Sequence, residues 1–243
     1  MTALHGFLGL GSDWDAVLPE SRFGVVQKPN WMRDLAELPG GEATSGLCQL
    51  AEHLNANRGD GLQDVLIGYS MGGRLAMHML AQDASAACWN KAIIISASPG
   101  IVEREERRRR WDQDRRWAER FRIEAWDGLM RAWEAQGVFA GEPSLSRTED
   151  QFDRNELATT LLRCSVGTQD DLRPALARIQ VPVLWVAGGR DSKYAALAQE
   201  CSTLNPRFQL AILPEAGHRV PWSAIQPFQE AVEGFLAGKT LHR

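Results

Sequence analysis

The segment that most constrains this chain spans residues 64–80, Asp-Val-Leu-Ile-Gly-Tyr-Ser-Met-Gly-Gly-Arg-Leu-Ala-Met-His-Met-Leu. Its first part, Asp64–Ile67, is apolar and β-branched and predicts a buried strand. Its last part, Arg74–Leu80, is rich in helix formers. Between them stands Gly68-x-Ser70-x-Gly72. A serine on a sharp strand-to-helix turn exposes its hydroxyl, and the amide that follows it lies in the first turn of a helix, where partial positive charge collects. The glycines let neighbouring backbone pass close to the turn. A random Gly-x-Ser-x-Gly says little, but one set between a strand and a helix points to a nucleophile or base. The bland alternative is a glycine-rich turn with an idle serine.

A chain of 243 residues can bury a full core as one large domain with room for an inserted lid. A net charge of −4 gives no general attraction to nucleic acid or to an anionic membrane. No apolar run approaches the roughly 18 residues of a membrane span, and the first residues, Met1–Gly6, carry no basic-then-apolar leader. Cys48, Cys88, Cys164 and Cys201 lie far apart and make no Cys-x-x-Cys pair. They read as reduced and partly buried, neither bridged nor metal-bound. Together these features predict a cytoplasmic protein without a metal centre.

Short apolar strands alternate with helical stretches, the pattern of a mostly parallel sheet flanked by helices, and so of the α/β class. Strands are expected at Thr2–His5, Phe23–Gln27, Asp64–Gly68, Ala92–Ser96, Val181–Ala187 and Phe208–Leu213. Helices are expected at Gly46–Asn57, Met71–Asp83, Ala195–Leu204 and Trp222–Leu236. Between Ile101 and about Leu162 the pattern offers no strand, only helical and charged sequence. An insertion there sits over the carboxyl ends of the strands, where open α/β sheets bind ligands. The expected division is therefore a core of residues 1–100 and 163–243 with a helical cap of residues 101–162.

A serine hydroxyl needs an imidazole to take its proton at neutral pH. Of five histidines, His218 stands in a loop after the strand Phe208–Leu213. His5 is on the glycine-rich loop after the first strand, His78 lies inside the helix after Ser70, His53 falls in another helix, and His242 is in the tail. His218 is the best placed base. The imidazole needs an acid behind it to fix its tautomer, and Asp191 follows the strand Val183–Ala187 in Gly188-Gly189-Arg190-Asp191. The order Ser70, Asp191, His218 is that of serine enzymes on this type of sheet. Asp191 also suits the N-cap of the next helix. Developing oxyanion charge needs donors. The amides of Met71 and, from His5-Gly6-Phe7, of Phe7 are the expected pair.

Residues 103–122 hold nine arginines and six acids. The mixture reads mainly as a solvated helix laced with i,i+3 and i,i+4 pairs, and it is too mixed in sign for a nucleic-acid patch. One or two arginines facing inward would suit an anionic substrate, since the guanidinium fork matches a carboxylate. Trp111, Trp117, Trp126 and Trp133 recur through the same region and read as packing, with a pocket-mouth tryptophan as the alternative.

These motifs resemble a known family. Gly68-Tyr69-Ser70-Met71-Gly72-Gly73-Arg74, His5-Gly6-Phe7-Leu8-Gly9, Asp114-Arg115-Arg116-Trp117-Ala118-Glu119-Arg120-Phe121, Gln136-Gly137-Val138-Phe139-Ala140 and Gly189-Arg190-Asp191-Ser192-Lys193-Tyr194 are similar to the 2-succinyl-6-hydroxy-2,4-cyclohexadiene-1-carboxylate synthases of the α/β-hydrolase fold superfamily. The resemblance implies an α/β-hydrolase fold and a cofactor-free lyase of menaquinone biosynthesis that eliminates pyruvate from a ring carrying several carboxylates. It implies Ser70 as a base on a ring carbon hydrogen, activated by His218 and Asp191. It further implies substrate contacts from His5, Tyr69, Arg74, Arg110, Trp133 and Arg154, and a small anionic carboxylate as the partner, with neither nucleic acid nor membrane involved. A monomer and a homo-oligomer both fit.

Three departures stand out. The strands that precede the His5-Gly6 motif in the family are missing, which predicts a shortened sheet edge. Gln27-Lys28-Pro29-Asn30-Trp31 replaces an Asp-x-Pro-Gly-His-Gly stretch. The lid ahead of Arg154 aligns poorly, so Arg147 competes for its role. The alternative activity is hydrolysis of an ester, thioester or carbon–carbon bond by the same triad, which needs an apolar acyl slot instead of inward arginines. A non-catalytic binding protein on this fold usually lacks a triad member, and none is lacking here.

Overall fold

The computed structural model describes residues 1–39, 45–57, 65–82 and 89–239. Among them β1 (Thr2–Leu4) is followed by the short α1 (Glu20–Phe23), then α2 (Trp31–Glu37) and α3 (Gly46–Ala56). Next come β2 (Val65–Tyr69), α4 (Met71–Gln82) and β3 (Lys91–Ile95). Three longer helices follow without a strand: α5 (Arg104–Ile123), α6 (Trp126–Glu134) and α7 (Arg154–Arg163). The chain closes with α8 (Arg173–Leu176), β4 (Val183–Gly188), α9 (Ser192–Ser202), β5 (Phe208–Leu213), α10 (Val220–Ser223) and α11 (Ile225–Leu236).

The described strands form one parallel sheet in the order β1-β2-β3-β4-β5. Parallel strands covered by helices on both faces need apolar side chains at successive positions, and the residues comply. Along β3, Ala92 and Ile94 enter one core while Ile93 and Ile95 enter the other. Along β4, Val183, Trp185 and Ala187 face the first and Leu184 and Val186 the second. Full burial of each large apolar side chain is worth about 1.5–3 kcal/mol; β4 is buried throughout, and β3 from Ala92 onward. Helices α3 and α4 pack on one face, α11 on the other. Among the described residues no helix is long and apolar enough to cross a membrane.

Several expected elements need correction. Phe23–Gln27 is not a strand: α1 ends at Phe23, Gly24 takes φ +71°, Val25 is exposed, and only Gln27 makes a single bridge, to Thr2. Trp222–Leu236 is two helices. Pro227 has no N–H to donate to the Ser223 carbonyl, so α10 stops at Ser223 and α11 starts with Pro227 in its tolerant first turn. Helix α9 begins at Ser192, three residues before the expected Ala195, because Asp191 caps it. Asp64 and Asp83, at the ends of two expected elements, lie outside the described residues, as do Cys88 and His242. Cys48, Cys164 and Cys201 are free thiols.

Candidate active site

Ser70 sits between the last residue of β2 and the first of α4 with φ +53°, a left-handed conformation that non-glycine residues rarely hold. The turn is tight on every side. A Cβ on Gly72 would lie 2.4 Å from the carbonyl oxygens of Leu4 and His5, and one on Gly68 would lie 2.5 Å from the Gly72 oxygen. The spacing Gly68-x-Ser70-x-Gly72 is thus what lets α4 start against β1 and the His5–Gly6 loop. The Ser70 amide donates to the Ile95 carbonyl at 2.9 Å, which ties the elbow to the end of β3.

Two loops bring the partners. Asp191, at the end of the loop after β4, places Oδ2 2.9 Å from His218 Nδ1, while its Oδ1 accepts from the Tyr194 amide at 3.2 Å. One carboxylate therefore both caps α9 and orients the imidazole. A carboxylate acceptor at Nδ1 places the proton there and leaves the Nε2 lone pair for Ser70, whose Oγ is 3.1 Å away. The His218 side chain is only 4% exposed. Tyr194 and Tyr69 pack against its ring at centroid distances of 4.5 and 5.6 Å, and Phe139 meets it edge-on at 6.0 Å. A serine, an imidazole and a carboxylate hydrogen-bonded in this order have the geometry of a proton-transfer relay.

The relay opens into a cavity of about 400 Å³. Its floor includes Phe7, Tyr69, Ser70 and Met71, and its roof is built by α5, α6 and the segment after them, with Arg110, Trp133, Phe139 and Arg147 in the wall. The Trp133 ring packs on Phe7, Trp117 and Phe121. Tyr69 is buried, which pushes its phenol well above the usual range and keeps it neutral.

Arg74, on the first turn of α4, is buried in this wall. Its Nη1 donates to Gln169 Oε1 at 3.0 Å and its Nη2 to the Cys164 carbonyl at 2.6 Å. Among the described residues no carboxylate stands at ion-pair distance from it. Burial, with repulsion from Arg110, lowers its pKa to about 10, so it remains charged at neutral pH. Arg110 is held by Asp114 through Nε at 2.9 and 3.0 Å. Asp114 in turn accepts from Ser165 Oγ at 2.6 Å. Two cations thus share one cavity wall with a single structural carboxylate between them.

Two expected substrate contacts are placed elsewhere. Arg154 does not line the cavity. Its guanidinium donates to the Phe121 carbonyl at 2.6 Å, to the Glu124 carbonyl and to Glu149, and so pins the start of α7 to the end of α5. Arg147, its competitor in the sequence, does line the cavity, paired with Asp13 Oδ2 and the Leu8 carbonyl at 2.6 Å each. His5 is likewise outside the cavity wall, stacked on Trp31 with centroids 5.3 Å apart. Its Nδ1–H donates to the Gly6 carbonyl, and burial lowers its pKa to about 4, so the ring is neutral. Among the described residues no cluster of three or more His, Cys, Asp or Glu side chains has metal-binding geometry.

The sequence reading did not single out Arg219, Glu142 or Trp222. Arg219 and Trp222 line the cavity. Glu142 is a buried carboxylate reaching the His218 loop. Adjacency to His218 was the one available signal for Arg219, and nothing local marks Glu142.

The pattern of the family described as "Alpha/beta hydrolase family" matches residues 4–233. A 2-succinyl-6-hydroxy-2,4-cyclohexadiene-1-carboxylate synthase of Photorhabdus laumondii is 31% identical over 96% of this chain and 84% of its own. The protein of the same name from Serratia proteamaculans is 29% identical over 96% and 91%. Among solved structures, MenH from S. aureus superposes with a TM-score of 0.78 at 22% identity, covering 98% of this chain and 92% of that one. With the strand order, the elbow and the relay in place, the chain belongs to the alpha/beta hydrolase family, in the group whose members are named 2-succinyl-6-hydroxy-2,4-cyclohexadiene-1-carboxylate synthase.

Proposed function

We propose that this protein is a cytoplasmic lyase of menaquinone biosynthesis that eliminates pyruvate from 2-succinyl-5-enolpyruvyl-6-hydroxy-3-cyclohexene-1-carboxylate. In that substrate the hydrogen on ring carbon 2 lies beside the succinyl ketone and is the acidic one. His218 accepts the Ser70 proton, and the Ser70 oxygen removes the carbon-2 hydrogen. The electron pair passes through the ring double bond to carbon 5, where the carbon–oxygen bond breaks. The enolpyruvyl group leaves as an enolate and becomes pyruvate on reprotonation, and the ring is left as the 2,4-diene. The amides of Phe7 and Met71, both at the cavity floor, serve the charge that develops on the ketone oxygen. Asp191 holds the imidazole and stabilises its charged form. No cofactor takes part.

The observation that carries this reading is Arg74. A buried guanidinium without a carboxylate partner is costly, and here it lies in the wall of the cavity that holds Ser70. A carboxylate-bearing substrate supplies the missing counter-charge, which a neutral ester does not. Arg110 and Arg147 also line the cavity, each already paired with a carboxylate of the protein, so Arg74 is the guanidinium with charge to spare, and Tyr69 and Trp133 offer ring surface to the substrate. In this reading residues 1–100 and 163–243 are the core and residues 101–162 a cap over the substrate, with no part for nucleic acid or membrane. The test is incubation with the named substrate and detection of pyruvate by coupled reduction to lactate. One equivalent of pyruvate is expected. No pyruvate, together with fast cleavage of a p-nitrophenyl ester, would reject the lyase in favour of a hydrolase.

A further inference from the structure

The residue after the triad histidine is gripped by the cap. Arg219 is buried. Its Nη2 donates to Glu134 Oε1 at 2.6 Å, and its Nη1 to Glu134 Oε2 and to the Pro143 carbonyl, each at 2.7 Å. The guanidinium lies over the Phe139 ring, 4.2 Å from its centroid. The same loop is held a second time through its backbone. Glu142, with its side chain 1% exposed, accepts the Arg219 amide on Oε2 at 2.7 Å, and Ser223 Oγ donates to the same oxygen. Glu142 comes so close that a Cβ on Gly217 would lie 2.2 Å from its Oε1. Residues 217–219 are therefore fixed from both sides by one short cap segment, residues 134–143, with His218 in the middle.

We infer that Arg219 and Glu142 are positioning residues that use the cap to hold the His218 imidazole on Ser70. Charge pairing separates this role from substrate binding. Arg219 is neutralised by a two-point contact with Glu134, whereas Arg74 in the same cavity has no such partner. Phe139, stacked under Arg219, also meets the His218 ring, so the grip passes directly to the imidazole. Misplacing a catalytic group by about 1 Å costs on the order of 10²-fold in rate. The cap in this protein thus both roofs the cavity and completes the base.

The inference rests on the proposed role of His218 in activating Ser70. It is tested with Arg219→Ala, Glu142→Gln and the double variant, each checked for cooperative thermal unfolding. Two rates are measured: pyruvate release, split into kcat and KM, and labelling of Ser70 by a neutral alkyl fluorophosphonate. The probe has no carboxylate, so its reaction reports the state of the base and not binding of an anion. Each single variant is expected to lower labelling and kcat by about 10- to 100-fold while KM moves less than about threefold. The double variant is expected to lose little more than the worse single one, because both act on one loop. Unchanged labelling with a raised KM would overturn the inference and make Arg219 a substrate contact. Unchanged labelling and unchanged kcat would overturn it outright. Should Arg219→Ala not fold, Glu142→Gln keeps the shape and one acceptor and carries the test alone. A wild-type protein that labels fast but yields no pyruvate would sink the lyase and spare this inference. A His218→Ala variant that labels at the wild-type rate would sink the base role itself.

Discussion

Replacing Arg74 by Met separates substrate recognition from folding. The change removes the donors to Gln169 Oε1 and to the Cys164 carbonyl. Hydrogen bonds from a charged donor contribute about 1.5–3 kcal/mol each. Against that loss stands the removal of a buried cation that lacks a carboxylate partner. Exchanging buried ions for a well-packed apolar side chain is often neutral or favourable by about 1–4 kcal/mol. The two bonds together are worth about 3–6 kcal/mol, so at the midpoints of both ranges a net loss of about 2 kcal/mol is expected. In a chain of this size that is a Tm shift within about 8 °C. Activity has no such compensation. Leaving a buried carboxylate of the substrate without its guanidinium costs about 3–5 kcal/mol, and about 1.4 kcal/mol is tenfold in rate. The value of kcat/KM for pyruvate release should therefore fall by roughly 10²-fold to several thousandfold. Labelling of Ser70 by the neutral fluorophosphonate should fall far less. Thermal unfolding, steady-state kinetics and the labelling rate together make the test. A kcat/KM within about threefold of wild type would refute the assignment of Arg74 to a substrate carboxylate. So would a loss of labelling as large as the loss of turnover.

Ser70→Ala should lower kcat by at least about 10³-fold with the fold intact, checked by turnover and circular dichroism. Asp191→Asn should also cost on the order of 10³-fold or more, because the amide permits the tautomer that directs N–H at Ser70. Gly72→Ala should destabilise by about 2–3 kcal/mol, lowering Tm by roughly 5–10 °C, because its Cβ would meet the Leu4 and His5 oxygens at 2.4 Å. His5 and His78 are buried, which lowers the pKa of each to about 4 from 6.5. The unfolded chain then binds more protons than the folded one between pH 6.5 and 4. Stability should fall on acidification through that window, by up to about 3 kcal/mol per histidine. His78→Gln should flatten the fall in Tm, and an unchanged slope would remove His78 from the account.

The turn that carries Ser70 and the position of Asp191 were legible because they rest on local rules. The tight turn around Ser70 demands glycine at 68 and 72 and leaves a sequence mark, and a charged residue just past a strand end marks Asp191. What escaped the sequence depends on direction. Both Arg147 and Arg154 are arginines in the same stretch, yet one faces the cavity and the other pins two helices together. Periodicity does not report where a long side chain turns at a helix start, as at Arg154, or in the loop ahead of it, as at Arg147. Phe23–Gln27 misled because Phe23, Val25 and Val26 make it apolar and β-branched, while Gly24 with its positive φ turns Val25 outward. Glu142 lies in a loop 76 positions before His218, and only the fold brings a carboxylate there.

The proposed removal of a ring hydrogen by Ser70 and His218 has a direct kinetic signature: single-turnover pyruvate release from substrate carrying deuterium on ring carbon 2. A primary isotope effect is expected, with the protein mass unchanged throughout turnover. Equal rates for the two isotopologues, together with an acyl adduct on Ser70, would contradict it.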